Sequence, residues 1–458
     1  MKITTLFPFL LSTALASAQD SLNVRHLFHW DDQTIPASSQ YGNQYNDVWG
    51  FAANGREYAF IGSTEGVHVF DVTAPENSVL IDVVPGSHTG TDIVHRDYKT
   101  YAGHLYAVCD EGPSSLQIIN LQYLPDSVHL VYDSQELLFR AHNIQIDTLN
   151  ARLYTNGGNT PFSVFSIADP ASPVLIKDCE ADIPWWGGTI GYVHDCFVRD
   201  NIVWCNDEDG MHVVDMTDID EPVMLGSITT YPGQGYNHSG WMNDDGTLYV
   251  MADETHGSPL KFIDPADLSD LQVMSTATSG IDTLSIIHNP FFTGDRVHVA
   301  YYYDGYWLWD ASDPLQPQLL GYYDTSPIPH STSYEGAWGV YPFLPSGNIL
   351  VSDMQTGLWV LQIDETTAVS DGSVSTPIAI ISPTSTTGMI TIRPMHPGSD
   401  RLSIEVIDAS GRMIRAHTAA NEISTEIDLR ELQDGIYLIT VRSGDRTHTQ
   451  RIVKTTTR

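Results

Sequence analysis

Gly66-Val67-His68-Val69-Phe70-Asp71, running on into Val72-Thr73-Ala74-Pro75, is the phrase that decides the fold. It reads as a strand that ends on an acid and enters a turn. The phrase returns around Asn120, at Phe165-Ser166, at Val213-Val214-Asp215, at Phe262-Ile263-Asp264 and at Leu308-Trp309-Asp310. A last copy is Gly357-Leu358-Trp359-Val360-Leu361-Gln362. Successive anchors at 71, 120, 166, 215, 264, 310 and 362 lie 46 to 52 residues apart. That period suits a four-stranded propeller blade, and no 3.6-residue apolar period argues for helical repeats.

A second register runs about 24 residues upstream of the anchors, the repeat containing two marked positions per unit. It is marked by Asp47, His95, His142, His194, His238, His288 and the pair Glu335-Gly336, each leading into an apolar strand. Its first and last copies are alike: Tyr45-Asn46-Asp47-Val48-Trp49-Gly50 and Tyr334-Glu335-Gly336-Ala337-Trp338-Gly339. Two registers that agree over seven copies predict a seven-bladed β-propeller across residues 19–364. The seventh copy has no outer strand after Asp364, while Leu22–Trp30 is strand-like and has no blade of its own. The latter is expected to supply the former, joining the chain ends and removing an exposed edge.

The flanks read differently. Lys2, the apolar run Leu6–Leu15 and the small residues Ala16-Ser17-Ala18 form an export signal over residues 1–18. No later stretch reaches 18 apolar residues, so no transmembrane helix is expected. Thr366–Ser375 is rich in Ser, Thr and Gly, and residues 365–385 read as a linker. Short alternating strands over 386–458, with turns at Ser410-Gly411, Asp434-Gly435 and Ser443-Gly444, predict a small C-terminal β-sandwich. The expected fold class is therefore all-β: a seven-bladed propeller followed by that sandwich.

The chain holds 57 Asp+Glu against 21 Lys+Arg in 458 residues, a net charge of −36. Such a surface excludes nucleic acid and anionic membranes as partners. Residues 388–458 carry 9 acidic and 10 basic side chains, which leaves 57 − 9 = 48 acidic and 21 − 10 = 11 basic in the rest. The negative charge therefore belongs to the propeller side, whose working face is expected to favour cations.

The C-terminal residues resemble the type IX secretion sorting domain of Bacteroidetes-type bacteria. The matching features are Leu402–Asp408, Gly411-Arg412, Ile427-Asp428-Leu429, Leu432, Gly435-Ile436-Tyr437 and a basic end at Lys454, while Arg393-Pro394-Met395-His396-Pro397 stands where the usual Tyr-Pro-Asn-Pro opening belongs. The resemblance implies the type IX machinery as a partner, with release or attachment at the cell surface. The propeller resembles the LVIVD-repeat proteins, and more closely the choice-of-anchor B family. The residues that carry this are Asp47–Gly50, Ala141–Ile144, Tyr192–Asp195, His238–Trp241, His288-Asn289, Gly336–Pro342 and Ser352-Asp353. It implies an extracellular domain joined to one of several anchoring tails, with no assigned activity.

Chemistry is expected on the axis. His142, His194, His238 and His288 stand at one point of four consecutive repeats, with His95 in the repeat before. Innermost strands line the channel, so equivalent positions converge there. Neutral imidazoles suit zinc, iron, copper or nickel. Four inward His hold iron in the carotenoid-cleaving propellers, an analogy of architecture alone. Asp47, Asp92, Asp97, Glu254 and Glu335 are candidate carboxylate neighbours, and Asn143, Asp195 and Asn289 directly follow ring His. The alternative is a structural device, each His tying its ring to the backbone of a neighbouring blade.

Cys196 and Cys205 flank a run whose centre, Asp200-Asn201, reads as a two-residue turn. The two would sit opposite each other, either as free thiols or as a cross-strand disulfide. Asp207-Glu208-Asp209-Gly210 and Asn243-Asp244-Asp245-Gly246 read as hairpin turns rather than calcium loops, and Trp185-Trp186 as a packed loop. There is no Gly-x-Ser-x-Gly elbow, phosphate loop or His-Glu-x-x-His helix. Two functions remain: an exported binding module with an unknown extracellular ligand, or a secreted metal-dependent hydrolase or oxygenase built on the His ring.

Overall fold

Five of the seven repeat anchors cap the turn that they introduce. Backbone N–H groups two residues on donate to Asp71 (2.9 Å), Asn120 (2.9 Å), Asp215 (2.8 Å), Asp264 (2.9 Å) and Asp310 (2.8 Å). A short acidic or amide side chain is the group that can close such a turn on its own backbone. Gln362, at the last anchor, instead meets Arg25 across a strand pair.

These contacts are seen in a computed structural model describing residues 21–364, 378–383, 385–394, 401–408, 412–420, 424–444 and 446–455. The expected export signal, residues 365–377 of the expected linker, Ser410-Gly411 and Met395-His396-Pro397 lie outside the described residues. Ser21–Thr376 forms one compact unit and Pro377–Arg458 belongs to another.

In the first unit, antiparallel sheets open in turn with Tyr45–Ala53, Arg96–Tyr101, Asn143–Asp147, Asp195–Arg199, Asn237–Met242, Pro290–Thr293 and Ala337–Tyr341. Six of these seven sheets take their four main strands consecutively from the chain. The remaining one takes Val24–Trp30 as its outer strand, paired with Gly357–Ile363. Ser21–Leu22 adds a short strand to the sheet before it, against Gln318–Tyr323. Opening strands of successive sheets lie side by side, and Ala337–Tyr341 lies beside Tyr45–Ala53. This radial order of sheets is the architecture of a β-propeller.

Alternation makes the arrangement self-consistent. The inner strands send apolar residues to both faces, and both faces meet neighbouring sheets, while outer strands such as Val79–Pro85 are partly exposed. Tyr58, Phe60 and Val69 of the first sheet pack with Leu105 and Ile119 of the second. Tyr106 and Ile118, on the second sheet's other face, pack with Ile144, Leu153 and Phe165 of the third. Full burial of one such side chain contributes roughly 1.5–3 kcal/mol. Close approach also constrains the backbone. Gly336 has φ 110°, and a Cβ there would lie 2.4 Å from the Tyr302 backbone. No other residue type fits that position without displacing the neighbouring sheet.

Local readings can be placed on this frame. Asp200 and Asn201 both have positive φ (49° and 64°), as a two-residue hairpin turn requires. The turn sets Cys196 opposite Cys205. Trp186 is fully buried, its ring stacked on Phe162 at 5.1 Å, so the Trp pair is packed, but it opens the short helix Trp186–Thr189 rather than lying in a loop.

The C-terminal unit consists of two sheets. Ile381, Ile390, Ile392 and Ile427 from one share a core with Leu402, Ile404, Val406, Ile439, Val441 and Ile452 from the other. It takes in the strand Ala379–Ser382, upstream of the boundary that composition suggests at 386.

Candidate functional site

The second register becomes a ring. Backbone N–H groups of His142, His194 and His288 bond to Asn156 (2.9 Å), Asn206 (2.8 Å) and Ala300 (3.0 Å) in the second strands of their own sheets. The imidazoles of successive sheets then meet at the axis. Centroids are 4.9 Å apart from His95 to His142, 4.3 Å to His194, 4.4 Å to His238 and 4.5 Å to His288. Trp338 closes the circle, 4.2 Å from His288 and 5.1 Å from His95.

Carboxylates and carbonyls hold the outer edges of these rings. His95 Nδ1 lies 2.5 Å from Glu111 Oε1, and His142 Nδ1 3.0 Å from Asp110 Oδ2. His288 Nδ1 donates to the Trp338 carbonyl at 2.6 Å. The His238 backbone faces the His194 ring, and the His288 backbone faces the His238 ring. Neither His194 Nδ1 nor His238 Nδ1 completes a hydrogen bond, although both are buried. Glu254 reaches in from the mouth, 3.9 Å from His238 Nε2 and 4.0 Å from His288 Nε2, and accepts a bond from the Tyr302 hydroxyl.

Burial dictates the charge states. It drives the His194 and His238 imidazoles well below their usual range, helped by neighbouring His, and holds His288 down to about 3. Burial also opposes charge on His142, but Asp110 beside it outweighs this and raises the imidazole. Glu254 is pushed up to about 7 by burial, against the Tyr302 hydrogen bond. Most of the ring is thus neutral imidazole, the form that ligates metal.

Below the ring lies a second polar layer. Lys99 Nζ contacts both oxygens of Asp97, at 2.8 and 3.1 Å, and sits 4.5 Å from the Trp49 ring centroid. Asp97 also accepts the Ile144 N–H at 2.8 Å. Asp47 is raised well above its usual range by burial and by Asp97, and Asp195 to about 7 by burial. The small cavity at the His ring and the one beneath it share Asp47, Asp97, Asn143 and Asn289 as walls.

The structure brings His142, His194, His238 and His288 together, with His95 beside them. Asp47 lies in the layer below the ring and walls both cavities. Glu335 bonds the Tyr303 hydroxyl at 3.1 Å, and Asp92 pairs with His88 at 2.7 Å. Neither of these two carboxylates meets a ring His among the described contacts. Sequence reasoning passed over Asp110, Glu111, Tyr302, Lys99 and the ring role of Trp338. One signal pointed to the acids: Asp110-Glu111 and Asp253-Glu254 both fall where the second strand of a sheet ends. All four cysteines are buried free thiols, Cys196 and Cys205 included, and no disulfide joins that pair in the structure.

Two separate sets offer ligand atoms within 4.8 Å of one another: His194, His238 and Glu254, and His95, His142 and Asp110. Imidazole nitrogen with carboxylate oxygen is a donor set for zinc, iron, copper or nickel.

Residues 381–455 match the family described as the secretion system C-terminal sorting domain. Among curated proteins the chain has no match. Among solved structures it is similar to the β-propeller domain of Cps50 (Swd1) from Myceliophteria thermophila, with 10% identity and a TM-score of 0.48 over 75% of this chain and 99% of that one. Among the described residues no helix is long and apolar enough to cross a membrane. The sorting domain is that of type IX secretion, and it implies export, with the protein at the cell surface or released.

Proposed function

We propose that the chain is an exported binding module whose channel holds a divalent transition-metal ion on the His ring. On this reading the sheets of residues 21–363 form one seven-bladed ring of the LVIVD-repeat, choice-of-anchor B kind. Val24–Trp30 closes it, and the C-terminal domain engages the type IX machinery as cargo. His142, His194, His238 and His288 are the nitrogen ligands, with Glu254 as the carboxylate.

The observation that carries this is the second contact of the imidazoles. His95 and His142 are held at Nδ1 by carboxylates, and His288 by a backbone carbonyl. A metal-ligating His is nearly always held this way at its other nitrogen, which fixes the tautomer and turns the free lone pair inward. Glu254 lies beside the Nε2 atom so presented by His288, and beside that of His238. When bound, the ion supplies a Lewis-acidic anchor for an extracellular ligand. The chain's own residues set its position and exclude bulk water from all but the mouth.

One observation favours a second reading, a metal-dependent hydrolase or oxygenase. The Tyr302 hydroxyl bonds Glu254 directly, placing an exchangeable proton next to the ring.

The test is metal analysis of the purified chain, followed by His194→Ala and His238→Ala. Co-purifying or rebinding metal that both variants lose, while circular dichroism stays native, supports the proposal. A wild-type chain that neither carries nor rebinds metal overturns it and leaves the ring as a structural stitch.

A further inference from the structure

Three polar side chains of the fifth sheet are sealed off from water. Asn237, Asp253 and Lys261 are each 0% exposed. They stand on its first three strands, Asn237–Met242, Tyr249–Asp253 and Leu260–Ile263. Asn237 is paired opposite Asp253, and Lys261 opposite Met251, two residues before Asp253 on the same strand. Residues two apart on a strand face the same way, so the three side chains meet on one face of the sheet.

One carboxylate holds both nitrogens. Lys261 Nζ lies 2.8 Å from Asp253 Oδ2, and Asn237 Nδ2 donates to Asp253 Oδ1 at 3.2 Å. The Asn237 carbonyl oxygen accepts from Asn206 Nδ2 at 2.8 Å, which polarises the carboxamide carbon towards attack. The Tyr231 hydroxyl donates to Oδ1 at 3.0 Å and the Gly235 N–H to Oδ2 at 2.6 Å, so the carboxylate is fixed in place. Burial pushes the Lys261 ammonium below its ordinary value, against the pull of Asp253, and this favours the nucleophilic amine.

We infer that Lys261 and Asn237 join in an intramolecular isopeptide bond, with Asp253 as the catalytic proton carrier. Lys261 Nζ attacks Asn237 Cγ; the Cγ–Nζ bond forms and the Cγ–Nδ2 bond breaks. Asp253 takes two protons in succession from Nζ and passes them to Nδ2. The ammonium of Lys261 and the carboxamide of Asn237 thus become one amide and one ammonium ion, and no oxidant or other reactant is consumed. Rotation of the long Lys261 side chain supplies the approach, and holding both partners on one carboxylate makes the step an oriented intramolecular one. Exclusion of water protects the product from hydrolysis.

Such a bond ties the first strand of the sheet to the third, in a chain whose four cysteines are all free thiols. The other buried Lys–Asp pair lacks the acyl partner. Asp97 accepts from Lys99 and from the Ile144 N–H, with no side-chain amide among its described partners, and no cross-link is expected there. The isopeptide bond is independent of any ion on the His ring.

The experiment weighs the full purified chain under denaturing conditions and maps it by tryptic digestion and fragmentation. Wild type is expected to be lighter, by one ammonia, than the sequence read from its observed N-terminus. Trypsin should fail to cut after Lys261, and a branched peptide should join Lys261 to Asn237. Lys261→Arg and Asp253→Asn are expected at their sequence masses, with melting temperatures below that of wild type.

Wild type at its sequence mass overturns the inference, however the variants behave. Ammonia lost equally from Lys261→Arg, or mapped to another residue, is a cyclised side chain elsewhere and overturns it too. Loss of one water, with Lys261 joined to Asp253, overturns Asn237 as the acyl partner. A cross-link that persists in Asp253→Asn overturns the role of that carboxylate.

Discussion

The imidazole of His288 donates from Nδ1 to the carbonyl oxygen of Trp338 in the next sheet, at 2.6 Å. A carbonyl only accepts, so this contact leaves Nε2 with the lone pair, and Nε2 lies 4.0 Å from Glu254. One hydrogen bond therefore stitches two sheets and also orients a candidate ligand. The structural and metal-binding explanations of a His placed once per repeat are compatible here, and they separate only in their measurable consequences.

His288→Ala removes both parts. The side chain is buried, and its loss leaves a cavity and an unpaired carbonyl. The expected cost is about 2–4 kcal/mol in urea unfolding of the metal-free protein. The same variant should bind Zn(II) more weakly. Loss of stability with unchanged Zn(II) affinity would assign His288 to the stitch alone.

Zinc should act on stability through mass action. Ligation of the native ring alone stabilises by about 4 kcal/mol at a thousandfold excess of free ion over Kd. Thermal melts of stripped wild type should therefore rise with added Zn(II), while those of His238→Ala should barely move. Equal shifts in both proteins would place the ion elsewhere.

Lys99 and Asp97 make the next case. Both are buried, and Lys99 Nζ is the cation nearest Asp97 in a layer that also contains Asp47 and Asp195. Lys99→Met strands a buried carboxylate, which costs about 3–5 kcal/mol. Adding Asp97→Asn should recover much of that loss, because the uncompensated charge is gone. The check is a double-mutant cycle in urea at neutral pH; additive losses would show that the pair is not coupled.

How much of this was legible in the sequence follows from the kind of signal each residue gives. The ring His were visible because the same letter recurs at one point of a long period. Trp338 completes the ring three residues after Glu335, where the repeat puts its mark, and a tryptophan in a strand reads as core. Asp110, Glu111 and Glu254 directly follow second strands, and only the pairing of those strands with the first carries them to the axis. The Lys99–Asp97 pair is two residues apart on one strand, an ordinary spacing for surface charges, and its burial depends on the walls contributed by other sheets. Turn chemistry was legible because it is local: Asp71 and its equivalents act within two residues of themselves.

Closure by Val24–Trp30 makes a prediction about truncation. The strand that completes the last sheet comes from the N-terminal side, and every strand of the propeller unit ends by Ile363. A chain ending at Asp364 should therefore fold with unchanged urea stability per unit, having lost no strand from the propeller. Without the sorting domain it should stay in the periplasm of the producing bacterium. Cell fractionation with an antibody against the propeller is the check, and surface delivery of the truncated chain would remove the role assigned to residues 381–455.

Asp353 gives the pH dependence. Its Oδ1 accepts the N–H groups of Gln355 and Thr356, both at 3.0 Å, and its Oδ2 the Thr325 hydroxyl at 3.0 Å. Burial nevertheless raises the carboxyl to about 6. In the unfolded chain it titrates near 3.9. Between these two values the native state keeps the proton that the unfolded state has lost, so native stability falls as pH rises. The contribution is fully present below about pH 4, decreases through pH 6 and is then constant, a change of roughly 3 kcal/mol. Asp353→Asn keeps the Oδ1 acceptor and lets the Thr325 hydroxyl turn to accept, so the fold should survive. Urea unfolding of both proteins at pH 4.5 and 7.5 should show the variant gaining on wild type at the higher pH. A constant difference between them across that range would mean that Asp353 is ionised in the folded protein at neutral pH at no cost in stability.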